Sequence, residues 1–289
     1  MSGKLFRPYL MVAPAITVFI LFFIYPIFYM VFLSFTDWDL ISPVKNFVGF
    51  DNFIDLFRED EFRQVFMNTI IYTVLTVGIS MVLSLLFALW LNKSGAFYGM
   101  AQGAVFSPYI ISLVSVSLLW LWLMDPQYGF LNFLLKLVGL PANTWVAHPD
   151  TALYSLVIVS VWKITGYNTL VFIAGLQSIP KELYEAAKLD QANKWRIFSK
   201  ITVPMLSPTI FFLLVINTIA SFQVFDTVKI MTQGGPVNST NMLVFYIYEY
   251  GFDFFKIGYA SAAGVVLLLL VGVMTIFHFK LLSKRVHYR

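Results

Sequence analysis

Apolar and polar positions segregate along this chain in blocks of twenty to thirty residues. Six apolar runs, at 9–35, 66–91, 101–124, 151–177, 205–225 and 259–282, reach the length of about 20 residues that a helix needs to cross a bilayer. The first run is too long for the core of a cleaved signal peptide. Its small-residue triplet Ala13-Pro14-Ala15 lies at the wrong end for cleavage, so it is expected to stay as a span. Pro26 is expected to kink that span, and the third run is expected to break near Pro108. The stretch 36–65 is polar, yet Phe50, Phe53, Ile54 and Phe57 recur at i, i+3, i+4 and i+7, which predicts a short helix on the outer surface. A tight loop is expected at 92–100. Outer loops are expected at 125–150, rich in Pro and Gly, and at 226–258, around Gly234-Gly235-Pro236.

The long polar stretch 178–208 reads as two short helices. Ser178 and Pro180 supply a helix start, and Glu182 and Glu185 lie near the positive end of the dipole. Leu183, Ala186, Ala187 and Asp190 fall on one face, small and apolar at Ala186–Ala187, where a partner's backbone can approach closely. A second helix carries Trp195, Phe198 and Ile201 and is expected to stop before Pro204, because a residue preceding proline is pushed out of α geometry.

Composition turns these runs into membrane spans. The chain is 59% hydrophobic and only 12% charged, against about 25% charged in soluble domains. It has no cysteine, which excludes disulfides, thiolate metal sites and a Cys nucleophile. The net charge of +4 does not point to nucleic acid, because the basic residues divide by membrane side. With both termini and the loops 92–100 and 178–208 inside, twelve Lys and Arg lie on that side and six on the other. The positive-inside rule therefore predicts an all-α, six-helix protein in contact with membrane lipid, with N- and C-termini in the cytoplasm. Two regions are expected: 1–65, the first helix and its amphipathic segment, and 66–289, a five-helix core carrying the loop 178–208.

Little chemistry is available to such a chain. There is no Gly-x-x-x-x-Gly-Lys run to cradle a nucleotide, and His148, His278 and His287 share no metal-ligand spacing. Neither a catalytic site nor a metal site is expected. The polar residues within or beside spans are Lys163, Asn168, Asn217, Gln223 and Asp226. Lys163 lies about 18 Å into the fourth span, near mid-membrane. It can meet a solute or a cavity carboxylate, or hydrogen-bond a carbonyl on a neighbouring helix. The amides have the same two readings, solute contact or interhelical glue. Asp226 can cap a helix, pair with Lys229 or gate an outer cavity.

The spacing Glu185-Ala186-Ala187, three residues, Gln191, nine residues, Ile201-Thr202-Val203-Pro204 resembles the EAA loop of ABC importer permeases. Gln191 stands where that pattern has Gly, and Val203 where it has Leu. Phe35-Thr36-Asp37-Trp38, Asp125-Pro126-Gln127-Tyr128-Gly129, Thr232-Gln233-Gly234-Gly235-Pro236 and Gly258-Tyr259-Ala260-Ser261-Ala262 are similar to stretches of carbohydrate importer permeases, the first of two permeases in sugar and glycerol-3-phosphate systems. The resemblance implies the type I ABC importer permease architecture in a bacterial or archaeal plasma (inner) membrane. It implies a second permease subunit in a heterodimer, an ATP-binding subunit dimer that holds ATP and Mg so that this chain carries no cofactor, and an extracytoplasmic solute-binding protein. It further implies that Glu185, Ala186, Ala187, Asp190, Gln191, Ala192 and Pro204 engage the ATPase. Lys163, Asn168, Asn217, Gln223 and Asp226 would then line a pathway for a sugar or oligosaccharide, with glycerol-3-phosphate or a glycerophosphodiester as the alternative. A stand-alone secondary transporter or membrane scaffold is a third reading, disfavoured because the spans hold no carboxylate except Asp226 at an edge.

Overall fold

The computed structural model describes residues 3–282, with side chains from Tyr9 to Lys280. The side chains of Lys4 and Arg7, and Lys284, Arg285, His287 and Arg289 entirely, lie outside the described residues. Every described element is helical, apart from one isolated antiparallel bridge between Thr36 and Phe47.

The first apolar run folds as α1 (Gly3–Phe19), a π turn (Ile20–Ile24) and α2 (Tyr25–Leu33). A proline ring collides with the carbonyl four residues back, here Phe22. The π turn moves the ladder to an i−5 bond, Tyr25 N–H to Ile20 O, and Tyr25 keeps α geometry at φ −58° and ψ −48°. Pro26 is accommodated by a widened turn, and Tyr9–Leu33 remains one candidate span. The amphipathic segment forms α3 (Asp51–Arg58). Its predicted stripe is mostly exposed at Phe50, Ile54 and Phe57, and Leu56 is the residue it buries.

The second run is α4 (Asp60–Leu91), which starts six residues earlier than its apolar run. The third is two helices, α5 (Ala96–Ile110) and α6 (Leu113–Leu123), bent by 99°. The break expected near Pro108 falls at Ile111–Ser112, three residues past the proline, which stays inside α5. Pro108 cannot bond the Ala104 carbonyl, and Ser107 Oγ donates to it instead at 2.9 Å. Helix α5 also shortens the loop expected at 92–100. The next segment, expected as a loop, contains α7 (Phe130–Leu137) and is held by buried Asn132, which bonds Pro126 O, Asn143 and the Trp145 indole N–H.

The fourth span is α8 (Pro149–Gln177). The polar stretch after it forms α9 (Lys181–Leu189), α10 (Lys194–Ile197), a π turn (Phe198–Thr202) and α11 (Val203–Met205). Here the expected stop before Pro204 is wrong, for the same physical reason as at Pro26. The π turn displaces the carbonyl the ring would strike, so Val203 keeps φ −64° and ψ −46° and the helix runs on to Met205. A 61° bend leads into α12 (Ser207–Phe222).

The segment expected as an outer loop holds α13 (Asp226–Met231), α14 (Leu243–Tyr248) and a π turn (Glu249–Asp253) before α15 (Ile257–Leu282). It is no surface loop: Thr240, Asn241, Met242 and Leu243 are fully buried. Among the described residues four unbroken helices are long and apolar enough to cross a membrane, and six if each bent pair is one span.

The described residues form two compact units. One takes the residues up to Arg63 together with Tyr246–Leu269; the other takes Gln64–Phe245 and those from Leu270 onward. In the first, Asn52 Nδ2 ties α3 to the carbonyls of Ser34 and Thr36. Gly258 lies flush on the Thr36 carbonyl, where any Cβ would collide with it. Tyr250 and Tyr259 donate to Glu61 and Glu59, each at 2.9 Å, and Tyr259 also bonds fully buried Tyr246. In the second, α8 is the central post, packed against α4, α5 and α12. Its Gly166 meets the backbone of Val105 and Phe106 so closely that a Cβ would overlap the Val105 carbonyl. Buried hydroxyls join α4 to α8: Tyr72 bonds Ser160 at 2.6 Å, and Ser84 Oγ donates to Thr165 O at 3.0 Å. Asn68 and Thr69 pin the buried 238–243 segment to α4.

Candidate functional site

Two regions of the second unit gather the residues singled out from the sequence: the polar stretch after α8, and a small cavity beside α8 and α12.

Helix α9 ends in a Schellman turn. Ala192 N–H bonds Ala187 O at 2.9 Å and Gln191 N–H bonds Lys188 O at 3.0 Å, with Gln191 in the left-handed region at φ 51°. This is the position at which the resembling pattern has Gly, the residue that takes φ > 0 without steric cost. The turn is therefore formed here despite Gln. Asn193 then caps α10, its side chain accepting from Arg196 N–H at 2.8 Å. The two short helices enclose a groove of about 470 Å³ lined by Ala187, Asp190, Ala192, Arg196, Ile197, Lys200 and Ile201. Of the seven predicted coupling residues, Ala187, Asp190 and Ala192 line it. Glu185, Ala186 and Gln191 are exposed beside it, and Pro204 lies away from it, half-buried in α11.

Among the exposed charged residues of this stretch stand two large apolar side chains. Leu189 is 85% exposed and Trp195 73% exposed. Beneath it, Leu176, Ile179 and Leu206 join Ala88, Leu91, Phe172, Ile173 and Leu213 in one buried cluster, with Tyr184 and Met205 packed on it. Tyr184 OH also reaches Thr202 Oγ1 at 3.3 Å. Tyr184 thus ties α9 to the packed ends of α4, α8 and α12.

The second region is a cavity of about 220 Å³ between α4, α8, α12 and the start of α13. Lys163, Asn217, Gln223 and Asp226 line it, joined by Tyr72, Thr76, Ser160, Ser221 and Thr227. Gln223 and Asp226 are exposed, Asp226 at the first position of α13. Asn168 is fully buried and does not line the cavity; its Oδ1 accepts from Asn217 Nδ2 at 3.1 Å, the interhelical reading of that pair. Lys163 Nζ donates to the Ile111 carbonyl at 2.6 Å and to those of Pro108 and Tyr109 at 3.3 Å.

The hydroxyls of α4 were legible but missed. Thr69, Thr73, Thr76, Ser80 and Ser84 recur at intervals of three and four residues and are all buried, a polar stripe inside an apolar helix. Thr227, a residue of the cavity lining, has its Oγ1 buried with no hydrogen-bond partner. The lining of the site thus consists of hydroxyls, amides and one carboxylate, besides Lys163 and apolar side chains. It holds no nucleophile–base pair, and no cluster of metal-binding side chains occurs among the described residues.

Comparison with known proteins gives the family of the chain. Residues 85–288 match the family model of the binding-protein-dependent transport system inner membrane component. The sn-glycerol-3-phosphate transport system permease protein UgpA of Agrobacterium fabrum is 36% identical over 97% of this chain and 96% of its own length. The probable ABC transporter permease protein YurN of Bacillus subtilis is 35% identical over 94% of each. Among solved structures, a chain of a bacterial alginate ABC transporter, in complex with an alginate pentasaccharide-bound periplasmic protein, superposes with a TM-score of 0.82 at 26% identity. That match covers 96% of this chain and 93% of the other. Six potential spans, the paired short helices after α8 and similarity along nearly the whole chain all lead to one assignment: this chain belongs to the binding-protein-dependent transport system inner membrane components and is a permease subunit of an ABC importer, not an enzyme.

Proposed function

We propose that this permease carries a sugar or oligosaccharide, delivered by an extracytoplasmic binding protein, across a bacterial plasma membrane through a path that includes the Lys163–Asp226 cavity. A second, distinct permease completes the path. A separate ATPase dimer, holding ATP and Mg, grips the α9–α10 stretch from the cytoplasm, where both termini also lie. The observation that carries the proposal is the lining of the cavity. Its wall carries the hydroxyls of Tyr72, Ser160 and Ser221, the amides of Asn217 and Gln223 and the Asp226 carboxylate, the kinds of partner a polyhydroxyl solute needs in place of water. The exposed Leu189 and Trp195 support the coupling role, since apolar side chains at a polar loop surface ask for a covering partner.

The names of the UgpA relatives favour a second reading, glycerol-3-phosphate or a glycerophosphodiester as solute. Uptake into proteoliposomes holding the four kinds of subunit separates the two. Saccharide uptake without glycerol-3-phosphate uptake supports the first, and the reverse supports the second. Glu185→Lys and Ala186→Asp are expected to reduce ATP-driven uptake at least tenfold while the binding protein still takes up its ligand. Uptake that survives both changes would remove α9 from the coupling role.

A further inference from the structure

A helix that ends inside a membrane leaves carbonyls that neither water nor lipid can satisfy. Helix α5 ends this way. Ile111 turns to extended geometry at φ −69° and ψ 141°, and α6 starts afresh at Leu113 after the 99° bend. The second half has its own cap, Ser112 Oγ accepting from Ser115 N–H at 3.3 Å. The first half has a cation. Lys163 Nζ meets Pro108 O, Tyr109 O and Ile111 O at once, so the three donors of one ammonium are matched to three carbonyls at the end of α5. A positive charge is also the sign that the C-terminus of a helix favours.

Position 163 is brought there by the crossing of α8 and α5. Gly166, one turn on and on the same face of α8, lets the backbones of α8 and α5 touch at Val105. Leu113, the first residue after the bend, lines the solute cavity together with Lys163. The angle of the broken span is thus set by a side chain that stands in the wall of the site.

We infer that Lys163 is a positioning residue, whose ammonium clamps the end of α5 to α8 and holds the α5–α6 bend in the shape that transport requires, and that it does not serve as a receptor for a charged solute. The inference rests on the proposed path through this cavity for its effect on transport, but not for the clamp itself. Lys163 is the one basic residue among those described in the cavity lining. With its donors turned to α5, the solute's charge is read elsewhere.

The test uses the assembled importer in proteoliposomes, with K163R, K163M and K163Q. Because the natural chain has no cysteine, spin labels at F97C on α5 and L119C on α6 report the bend directly. K163R, which restores donors at the same place, is expected to keep the interlabel distance and uptake within about twofold. K163M is expected to broaden the distance distribution and lower maximal uptake about tenfold or more, about 1.4 kcal/mol at the barrier, with KM unchanged. K163Q, which retains donors for part of the set, is read the same way should K163M fail to assemble. A rise in KM for glycerol-3-phosphate or saccharide in K163M, with the distance and maximal rate unchanged, would overturn the inference. If the unaltered complex carries neither solute, the transport reading fails while the distances still report whether the clamp exists.

Discussion

Gln191 shows how one residue can obey a turn that its own chemistry resists. It sits at the left-handed position of a Schellman turn, held there by the bonds of Ala192 to Ala187 and of Gln191 to Lys188. Glycine takes this conformation without the Cβ clash, so Gln191→Gly is expected to raise stability by about 1 kcal/mol in detergent unfolding without changing the loop. Gly166 is the opposite case, because the added Cβ of Gly166→Ala would meet backbone rather than a movable side chain. A loss of about 1–3 kcal/mol is expected. Between them in kind is the Asn168–Asn217 pair. Asn217→Leu strips the one hydrogen bond from the amide of buried Asn168, whose Nδ2 has no partner already. It should cost about 1–3 kcal/mol, and Asn168→Leu on top of it should recover much of that loss. Gln191 and the Asn pair could be picked out in the sequence by spacing and depth. The role of Gly166 could not, because a helical glycine has no sequence mark that tells close packing from tolerance.

At the scale of elements, what surrounds each proline decides whether its helix runs on. Pro26 and Pro204 each lie two residues past a π turn, and each leaves the helix running; Pro108 has its orphaned carbonyl filled by Ser107. The break comes instead where Ser112 caps a new start. Ser112→Ala should remove that cap and destabilise the start of α6 by about 1 kcal/mol, visible as faster hydrogen exchange at Leu113–Ser115. The local rule that proline ends or bends a helix put the break of the third span close by, but put a stop at Pro204, where the helix runs on to Met205. It counts the missing N–H and the ring clash, but not the ladder shift or the neighbouring hydroxyl that relieve them.

At the scale of the whole molecule, distant stretches meet through buried polar groups. In the first unit, Tyr250 and Tyr259 bond Glu61 and Glu59, although nearly two hundred residues separate them in the chain. Burial, with the Glu61 and Glu59 charges adding to it, pushes the Tyr250 phenol up to about 12 from its ordinary value of 10.0. A raised pKa on an acid that is neutral when folded gives stability that is present below pH 10 and lost as pH rises toward 12. Thermal unfolding of the purified chain should therefore fall across that window, and Tyr250→Phe should flatten the fall. Orientation is also a property of this scale. A single cysteine at Glu185 is expected to resist an impermeant maleimide in intact cells and to react in inside-out vesicles, and labelling from outside would reverse the topology.

The amino-acid sequence alone determined the solvent of this protein, its all-helical class and, through the resemblance of its segments, the kind of machine it belongs to. Those follow from runs of apolar residues and from spacings within one loop, and both are written in consecutive positions. It could also specify that a lysine lies deep in the membrane. Only the tertiary structure decided what that lysine does, because the carbonyls it holds become free through a bend fifty residues away. In the same way, the segment 240–243 lies in what reads as a surface loop until it is seen buried and bonded to Asn68 and Thr69. Hydropathy reports how much water a segment can shed, whereas a hydrogen-bond partner far away in sequence exists only once the helices have packed.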